Sequence, residues 1–234
     1  MFKKKGILAL LILVISIATI FSLAGCASQK IDEATYNKAL SQESINQIED
    51  YTYATILTET DVTEAEGKRT KKVVTTTHIY KFDKESNLAT YNIIVETMTS
   101  VKEGKKEKTT NTKETTEYFF DYNTNKVYKY NSKDKTCVED TKQEIIGSDV
   151  NKVNIYNDVK DIKFSSLEYR TGKYLTLEES KKFLVEMAFK KEQLSFYVIT
   201  DIKEEVDSKN QVIGGYRTKH VFERIDHEIE LPKM

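Results

Sequence analysis

The sequence predicts an α+β fold in which a curved antiparallel β-sheet, a half-barrel, wraps over two or three helices behind a signal-peptide helix. Three observations predict it. An apolar run preceded by lysines opens the chain, near-alternating patterns rich in threonine, valine and tyrosine fill most of the rest, and helical periodicity is confined to two stretches. The apolar face of such a sheet must be covered, and so few helices can cover it only if the sheet curls around them.

An export signal opens the chain. Three consecutive lysines, residues 3–5, precede an apolar run from Ile7 to about Ala18. Because a positive cluster stays on the cytoplasmic side while the apolar run enters the membrane, we expect the rest of the protein to be extracytoplasmic. Residues 1–25 are therefore predicted to be a signal peptide and not part of the folded domain.

The residues that end this segment, Leu23-Ala24-Gly25-Cys26, resemble the lipobox of bacterial lipoproteins. In that family a diacylglyceryl group alkylates the cysteine thiol, and a dedicated peptidase then cuts just before the cysteine. The resemblance implies cleavage between Gly25 and Cys26 and a covalent diacylglyceryl group on Cys26, with no other cofactor. Two acyl chains anchor stably because each buried CH₂ contributes about 0.8 kcal/mol. The expected location is the outer face of a bacterial cell membrane.

Two other interpretations of the N-terminus stay open. The segment from Ile7 to Leu23 is just long enough to remain as an uncleaved membrane helix, since a span needs roughly 17 to 25 residues. Ordinary secretion is disfavoured because no clean A-x-A cleavage site is present. In the lipoprotein interpretation, residues 26–31 are a polar tether and residues 32–234 form a single α+β domain.

Composition narrows the function classes. Without Lys3, Lys4 and Lys5 the 36 basic residues fall to 33 against 37 acidic ones, a formal net charge of −4 that favours neither nucleic acid nor docking on anionic lipid. Cys137 is then the one remaining thiol, so no intramolecular disulfide can form, and we interpret it as a small strand residue without a redox role. Abundant lysine, asparagine, threonine and isoleucine are typical of a low-GC, Gram-positive envelope protein.

Strand patterns dominate the domain. A helix is predicted over about 32–49, with Asp32 and Glu33 where acidic side chains favour a helix N-terminus. Strands are predicted at 51–62, 71–82, 88–101, at three places within 116–140, at 193–206 and at 212–232. Turns are predicted at 103–108, 123–125, 132–134 and 207–211. Gly214-Gly215 predicts a bulge, and residues 141–175 show only helical turns and a short strand.

A second helix is predicted over about 177–191. Thr176 and Glu179 have the spacing of a capping box. Four apolar residues would share one face of this helix: Leu177, Leu184, Met187 and Ala188.

In this order of elements the chain resembles the LolA/LppX-like envelope lipoproteins and lipoprotein carriers. The resemblance covers about residues 32–232 and rests on the opening helix followed by YTYATILTE, on YFFDYNTNKVYKYNSKDK and on FERIDHEIELP. It implies a curved sheet that holds an acyl chain or another hydrophobic group. The lining would be Tyr91, Ile93, Val95, Phe120, Tyr122, Leu184, Met187, Phe196 and Val198.

The same nine residues are also what any one-sided sheet buries against a helix, so a filled core is the alternative to a cavity. The predicted function is accordingly a membrane-anchored binding module for a lipid or other hydrophobic ligand. The alternative is a cell-surface interaction or scaffold protein with a solid core and no small-molecule ligand. Its partners would be the membrane, and a hydrophobic ligand or an envelope protein, but not nucleic acid.

No catalytic or metal-binding motif is predicted. His220 and His227 would point to opposite faces of one strand, so they do not converge on a metal. DYNTNK at 121–126 begins like a calcium loop, but Lys126 stands where glycine is needed and Ser132 where a carboxylate is needed, which favours a hairpin turn. No residue pattern proposes a nucleophile or an acid/base pair, so we do not expect an enzyme.

Overall fold

Antiparallel strands make up most of the structure. The computed structural model describes residues 29–177 and 182–232, so the predicted signal peptide and Cys26 lie outside the described residues. The strands are β1 (Tyr51–Ala65), β2 (Lys68–Asp83), β3 (Leu88–Glu103), β4 (Lys106–Asp121), β5 (Lys126–Asn131), β6 (Thr136–Glu139), β7 (Leu167–Arg170), β8 (Lys173–Thr176), β9 (Phe183–Lys190), β10 (Gln193–Val206) and β11 (Val212–Glu223). The helices are α1 (Glu33–Ala39), α2 (Gln42–Asn46), α3 (Ser148–Val159) and a 3₁₀ turn (Phe164–Ser166).

All eleven strands belong to one sheet, in the order β6-β5-β4-β3-β2-β1-β11-β10-β9-β8-β7. Strands β1 and β11, the first and last of the described strands, lie side by side at its centre. In chain order, β1 to β6 therefore extend from the centre to one edge of the sheet, and β7 to β11 return from the other edge to the centre. The sheet is curved, and because its edge strands β6 and β7 do not pair with each other, it is not closed. At this level the prediction of a curved antiparallel sheet with few helices is confirmed.

The four predicted turns, at 103–108, 123–125, 132–134 and 207–211, are confirmed, and two hairpin loops share one pattern of hydrogen bonds. Asp83 opens the β2–β3 loop and Asp121 opens the β4–β5 loop, and each carboxylate accepts a hydrogen bond of 2.7 Å from the hydroxyl three residues later. Each loop then ends on an asparagine in the left-handed region, Asn87 at φ 55° and Asn125 at φ 54°. Asparagine tolerates this conformation. DYNTNK is thus a hairpin turn.

The predicted helix over 177–191 is wrong. Residues 183–190 form strand β9, which pairs with β10 on one side and β8 on the other. Thr176 belongs to β8, and Glu179 lies outside the described residues. The run FLVEMAF is apolar at helical spacing and also at every second position, so periodicity over so few residues cannot choose. Pairing with the neighbouring strands β10 and β8 determines that this run is a strand.

Two other segments differ from expectation. The helix predicted over 32–49 is two short helices, because Ser41 leaves the helical conformation and its hydroxyl caps α2 by accepting from the Ser44 amide at 3.2 Å. Asp32 caps α1, accepting from the Thr35 amide at 2.8 Å. In the unassigned region 141–175 the structure places α3, the 3₁₀ turn, β7 and β8.

The main core lies between the helices and one face of the sheet, which we call the helix-side face. Its large, fully buried side chains include Tyr36, Tyr51, Phe120, Met187, Phe189, Tyr197 and Phe222. On the opposite face the C-terminal segment 224–232 covers a smaller cluster, in which Ile229 packs with Phe119, Tyr128 and the buried Cys137. Burying a large apolar side chain contributes about 1.5–3 kcal/mol, so the helix-side core holds most of the stability.

Candidate binding surface on the helix-side face

A row of aromatic side chains crosses the helix-side face from strand to strand. The cross-strand register joins its members as neighbours: Tyr197, Phe222, Tyr53, Tyr80, Tyr91 and Tyr118. We call this the aromatic row. In β1 to β4 every residue of the main core lies in this row or on the side of it nearer the helices. The aromatic row therefore marks the limit of the core on these four strands.

Helix α3 is attached to the aromatic row through one carboxylate. Asp158 accepts hydrogen bonds from the hydroxyls of Tyr197 at 2.7 Å and Tyr53 at 3.2 Å, and His220 Nδ1 lies 3.3 Å from its other oxygen. Burial, reinforced by the Asp158 charge, raises the pKa of Tyr53 and Tyr197 well above the usual range, so both stay protonated donors. This arrangement satisfies the carboxylate and fixes α3 on the sheet.

A second polar set lies beside it on β2 and β3. His78 Nδ1 is 2.7 Å from the Tyr91 hydroxyl, and the two rings stack with centroids 5.9 Å apart. Burial lowers the pKa of His78, which favours the neutral imidazole. The Tyr80 and Tyr122 hydroxyls are 2.6 Å apart, Tyr122 also donates to the Ile146 carbonyl, and burial raises the pKa of Tyr122 to about 12. These contacts orient the four side chains relative to one another.

Beyond the aromatic row, β1, β2 and β3 present a set of partly exposed side chains on the helix-side face. We call this set the open floor: Thr55, Leu57, Val74, Thr76, His78, Ile93 and Val95. Four of the seven are aliphatic, and the threonines and His78 separate them. The surface is therefore mixed in character, with scattered apolar contacts among hydroxyl groups.

The nine predicted lining residues do not converge on one site. Six lie on the helix-side face: Tyr91, Ile93, Val95, Phe120, Tyr122 and Met187. Leu184, Phe196 and Val198 lie on the opposite face, where Phe196 and Val198 pack with Ala54 and Val221. Among the six, Phe120 and Met187 are completely buried, so they fill the core and cannot contact a ligand.

Two features of the chain explain this division. In a strand, Leu184 and Met187 differ in parity and point to opposite faces, although a helix would place them together. In β10 both faces are apolar, and a register shift between Leu194 and Phe196 decides that Tyr197 faces the helices. Sequence reasoning therefore missed Tyr197, Tyr53 and Asp158. Tyr53 and Tyr197 each carried a signal, as aromatic residues in strand patterns, whereas Asp158 carried none.

Fully buried side chains occupy the core of the described residues. Two depressions among residues 29–177 and 182–232 are open to solvent, and neither is an enclosed apolar cavity. One lies at the β1–β2 turn, between Glu64 and Arg69, and the other lies between α1 and α3, beside Tyr36 and Lys160. The large aromatic side chains between the sheet and the helices are fully buried, which favours the filled core over an apolar cavity.

Other kinds of site are also absent from the described residues. There, no group of three His, Cys, Asp or Glu side chains is placed to hold a metal ion. His220 lies on the helix-side face at Asp158, whereas His227 contacts Thr52, 2.8 Å away, on the opposite face. The helices within these residues are each too short or too polar to span a bilayer.

The comparisons with known proteins add little. The chain matches no protein-family model and no curated protein. Among solved structures it is similar to a DUF1329 family protein from Desulfovibrio piger, with 10% sequence identity, coverage of 86% of this chain and 95% of that chain, and a TM-score of 0.22. A similarity this low assigns neither a family nor a function to the chain.

Proposed function

We propose that the protein is an envelope lipoprotein, anchored through a diacylglyceryl group on Cys26, whose domain binds a partner protein on the open floor and does not enclose a small ligand. The observation that carries this proposal is the contrast on one sheet face between a fully packed core and the partly exposed residues directly beyond the aromatic row. A filled core leaves the surface as the place for binding.

The size of this surface fits a protein partner. Together with the neighbouring parts of β4 and β11, the open floor makes a surface five strands wide, about 24 Å, and three side-chain rows deep, about 20 Å. Its area of roughly 500 Å² is a large part of the about 800 Å² that each partner contributes to a stable interface. Binding of a partner to this surface therefore requires no separation of the strands.

The chemistry of the open floor points the same way. Leu57, Ile93 and Val95 offer apolar contacts, and threonine hydroxyls between them offer hydrogen bonds. A protein surface presents the same mixture of groups, whereas an acyl chain can satisfy none of the hydroxyls. The formal net charge of −4 after removal of the signal disfavours polyanionic partners.

A second candidate function is the binding of a hydrophobic ligand, which the LolA/LppX resemblance implies. One observation favours it: Tyr91, Ile93 and Val95 form an apolar stripe along β3 that starts against Phe120, whose ring centroid is 5.8 Å from that of Tyr91. An acyl chain could lie along this stripe without entering the core.

Site-specific photo-crosslinking in intact cells tests the two candidates. A photoreactive amino acid is placed at position 95 or 57 on the open floor, and at position 115 as a control, because Thr115 is exposed on the opposite face. We expect one discrete protein adduct from positions 95 and 57 and none from 115. An adduct of lipid mass at position 95 would establish the second candidate instead, and no adduct at either floor position would reject the open floor as a binding surface.

Membrane anchoring is tested separately. In the Cys26→Ser variant we expect an unprocessed protein that carries no diacylglyceryl group. Mass spectrometry of the purified protein reads both properties. A variant whose processing and lipid content match the unsubstituted protein would reject the lipoprotein proposal and leave the crosslinking result standing.

A further inference from the structure

The chain enters the folded domain at a fixed place. The Gln29 amide donates to the Phe189 carbonyl at 2.8 Å, near the end of β9. Two residues later, the Ile31 amide donates to the Tyr174 hydroxyl at 2.7 Å, and that hydroxyl donates back to the Ile31 carbonyl at 2.8 Å. Ile31 itself is buried. These bonds join the N-terminal end of the domain to β8 and β9.

Only a short chain separates this place from Cys26. Three residues span at most about 11 Å when fully extended. A diacylglyceryl cysteine lies at the bilayer surface with its acyl chains in the hydrocarbon. The end of β9 must then lie close to the lipid headgroups whatever path those three residues take.

Two turns share this end of the sheet. Lys191 and Glu192 connect β9 to β10, and Thr171 and Gly172 connect β7 to β8. The pairing of Tyr174 with Met187 shows that both turns point in the same direction. We call this end the membrane edge.

Charge supports the same assignment. Lys30, Lys190 and Lys191 are exposed at the membrane edge, close to the entry of the chain, with Glu192 as the acidic residue of the same turn, although the mature protein is negative overall. Anionic lipid headgroups attract basic side chains within a Debye length of the surface. The membrane edge thus presents basic side chains to anionic headgroups that would repel the net negative charge of the domain.

From these observations we propose that the membrane edge faces the phospholipid headgroups and that the open floor is held clear of them. This inference rests on the proposed lipidation of Cys26. The row that begins the open floor lies level with Ile199, six residues along β10 from Gln193, or about 20 Å. The β10–β11 turn at the far end is about 45 Å away. The orientation leaves the open floor accessible to a protein partner and out of reach of bilayer lipid.

Depth-dependent fluorescence quenching tests the orientation. The full lipidated chain is placed in phosphatidylglycerol vesicles that contain a lipid with a nitroxide on its headgroup. Cys26 is blocked by lipid and Cys137 is buried, so an introduced cysteine is the single labelling site. The labelled variants are Lys191→Cys at the membrane edge, and Lys105→Cys and Ser208→Cys at the two far turns, all three being exposed positions.

We expect quenching several-fold stronger at position 191 than at positions 105 and 208. Equal quenching at the three positions, or stronger quenching at a far turn, would overturn the orientation. Repeating the measurement in phosphatidylcholine vesicles separates the effect of the tether length from the effect of the lysine charges. If the ranking persists, the tether length alone sets the orientation, and if it disappears, the lysines are required. Failure of anchoring is distinguishable, because the protein would then not remain on the vesicles at all.

Discussion

The two halves of strands β1 to β4 differ sharply although one continuous ladder of backbone hydrogen bonds runs through both. The half near the helices carries tyrosine and phenylalanine and is buried, whereas the far half carries threonine, lysine and glutamate and is partly or fully exposed. In β4 the first ten residues are exposed and the last three are buried. Backbone pairing alone therefore builds the far halves of these strands, whereas burial of side chains in the halves near the helices stabilises the molecule.

Magnitudes support this division. A backbone hydrogen bond contributes about 0.5–1.5 kcal/mol net, while full burial of an aromatic side chain contributes about 1.5–3 kcal/mol. In the far half, cross-strand pairs such as Glu96 with Lys113 at 3.0 Å and Ser100 with Thr109 at 2.9 Å add about 0.2–1 kcal/mol each. The far half therefore tolerates substitution, which leaves its side chains available for binding.

The largest expected effect is at the aromatic row. Phe222→Ala should lower the free energy of unfolding by about 3–5 kcal/mol, because the ring is completely buried and its loss leaves a cavity. Leu57→Ala on the open floor should lower it by about 1 kcal/mol or less. Urea unfolding followed by circular dichroism measures both. Equal losses for the two variants would show that the far half is as important for stability as the near half.

A backbone exception lies at the same far end of the sheet, on β11. Gly215 has φ 87°, and a Cβ there would overlap the Lys203 carbonyl oxygen on β10. The pairing shifts by one residue beside it, which confirms the predicted bulge. Gly215→Ala should therefore lower the free energy of unfolding by about 2–3 kcal/mol.

The matched control for this prediction is Gly104→Ala, in the β3–β4 turn. Gly104 also has a positive φ, 57°, but no atom lies within 4 Å of its Cβ position. Its loss should be about 1 kcal/mol. If both alanine variants unfold at the same urea concentration, conformational strain and not the close approach of β10 sets the effect.

A smaller effect is expected at the contact between α3 and the sheet. Tyr197→Phe removes the 2.7 Å hydrogen bond to Asp158 and should lower the free energy of unfolding by about 1.5–2 kcal/mol, as expected for a hydrogen bond to a charged group. Tyr118→Phe, in the same aromatic row but only partly buried, should change it by less than about 0.5 kcal/mol. Thermal unfolding of the two variants measures this difference. Equal unfolding midpoints would contradict this account.

The smallest expected effect is a pH dependence on the opposite face. Burial, reinforced by Lys81, lowers the pKa of His227, while Asp50, Asp83 and Asp226 raise it less. The unfolded chain then binds a proton more readily than the folded one, so this contribution to stability is present above the unfolded pKa and is lost as pH falls below it.

The measurement compares the unsubstituted protein with His227→Gln from pH 7 to pH 5. The difference between their free energies of unfolding should shrink as pH falls, because the glutamine keeps a hydrogen bond to Thr52 and does not titrate. A constant difference over this range would mean that His227 binds protons equally in both states.

Local sequence predicted much of the fold because much of it is local. Alternation over ten or more residues identified the long strands, and aspartate, asparagine and glycine marked the turns between them. The same reasoning went wrong at 183–190, where a short apolar run satisfies both periods. It also misplaced Phe196 and Val198, since β10 is apolar on both faces and a register shift sets their direction.

By itself the sequence determined most of the strands, the predicted hairpin turns and the signal that predicts an anchor at Cys26, and it left a filled core and a cavity as alternatives. Only the tertiary structure decided that β1 pairs with β11, that 183–190 is a strand, and which side chains share a face. The physical reason is range: propensity and turn chemistry act within a few residues. The aromatic row and the contacts of Asp158, by contrast, join residues separated by up to 169 positions, as in the pairing of Tyr53 with Phe222.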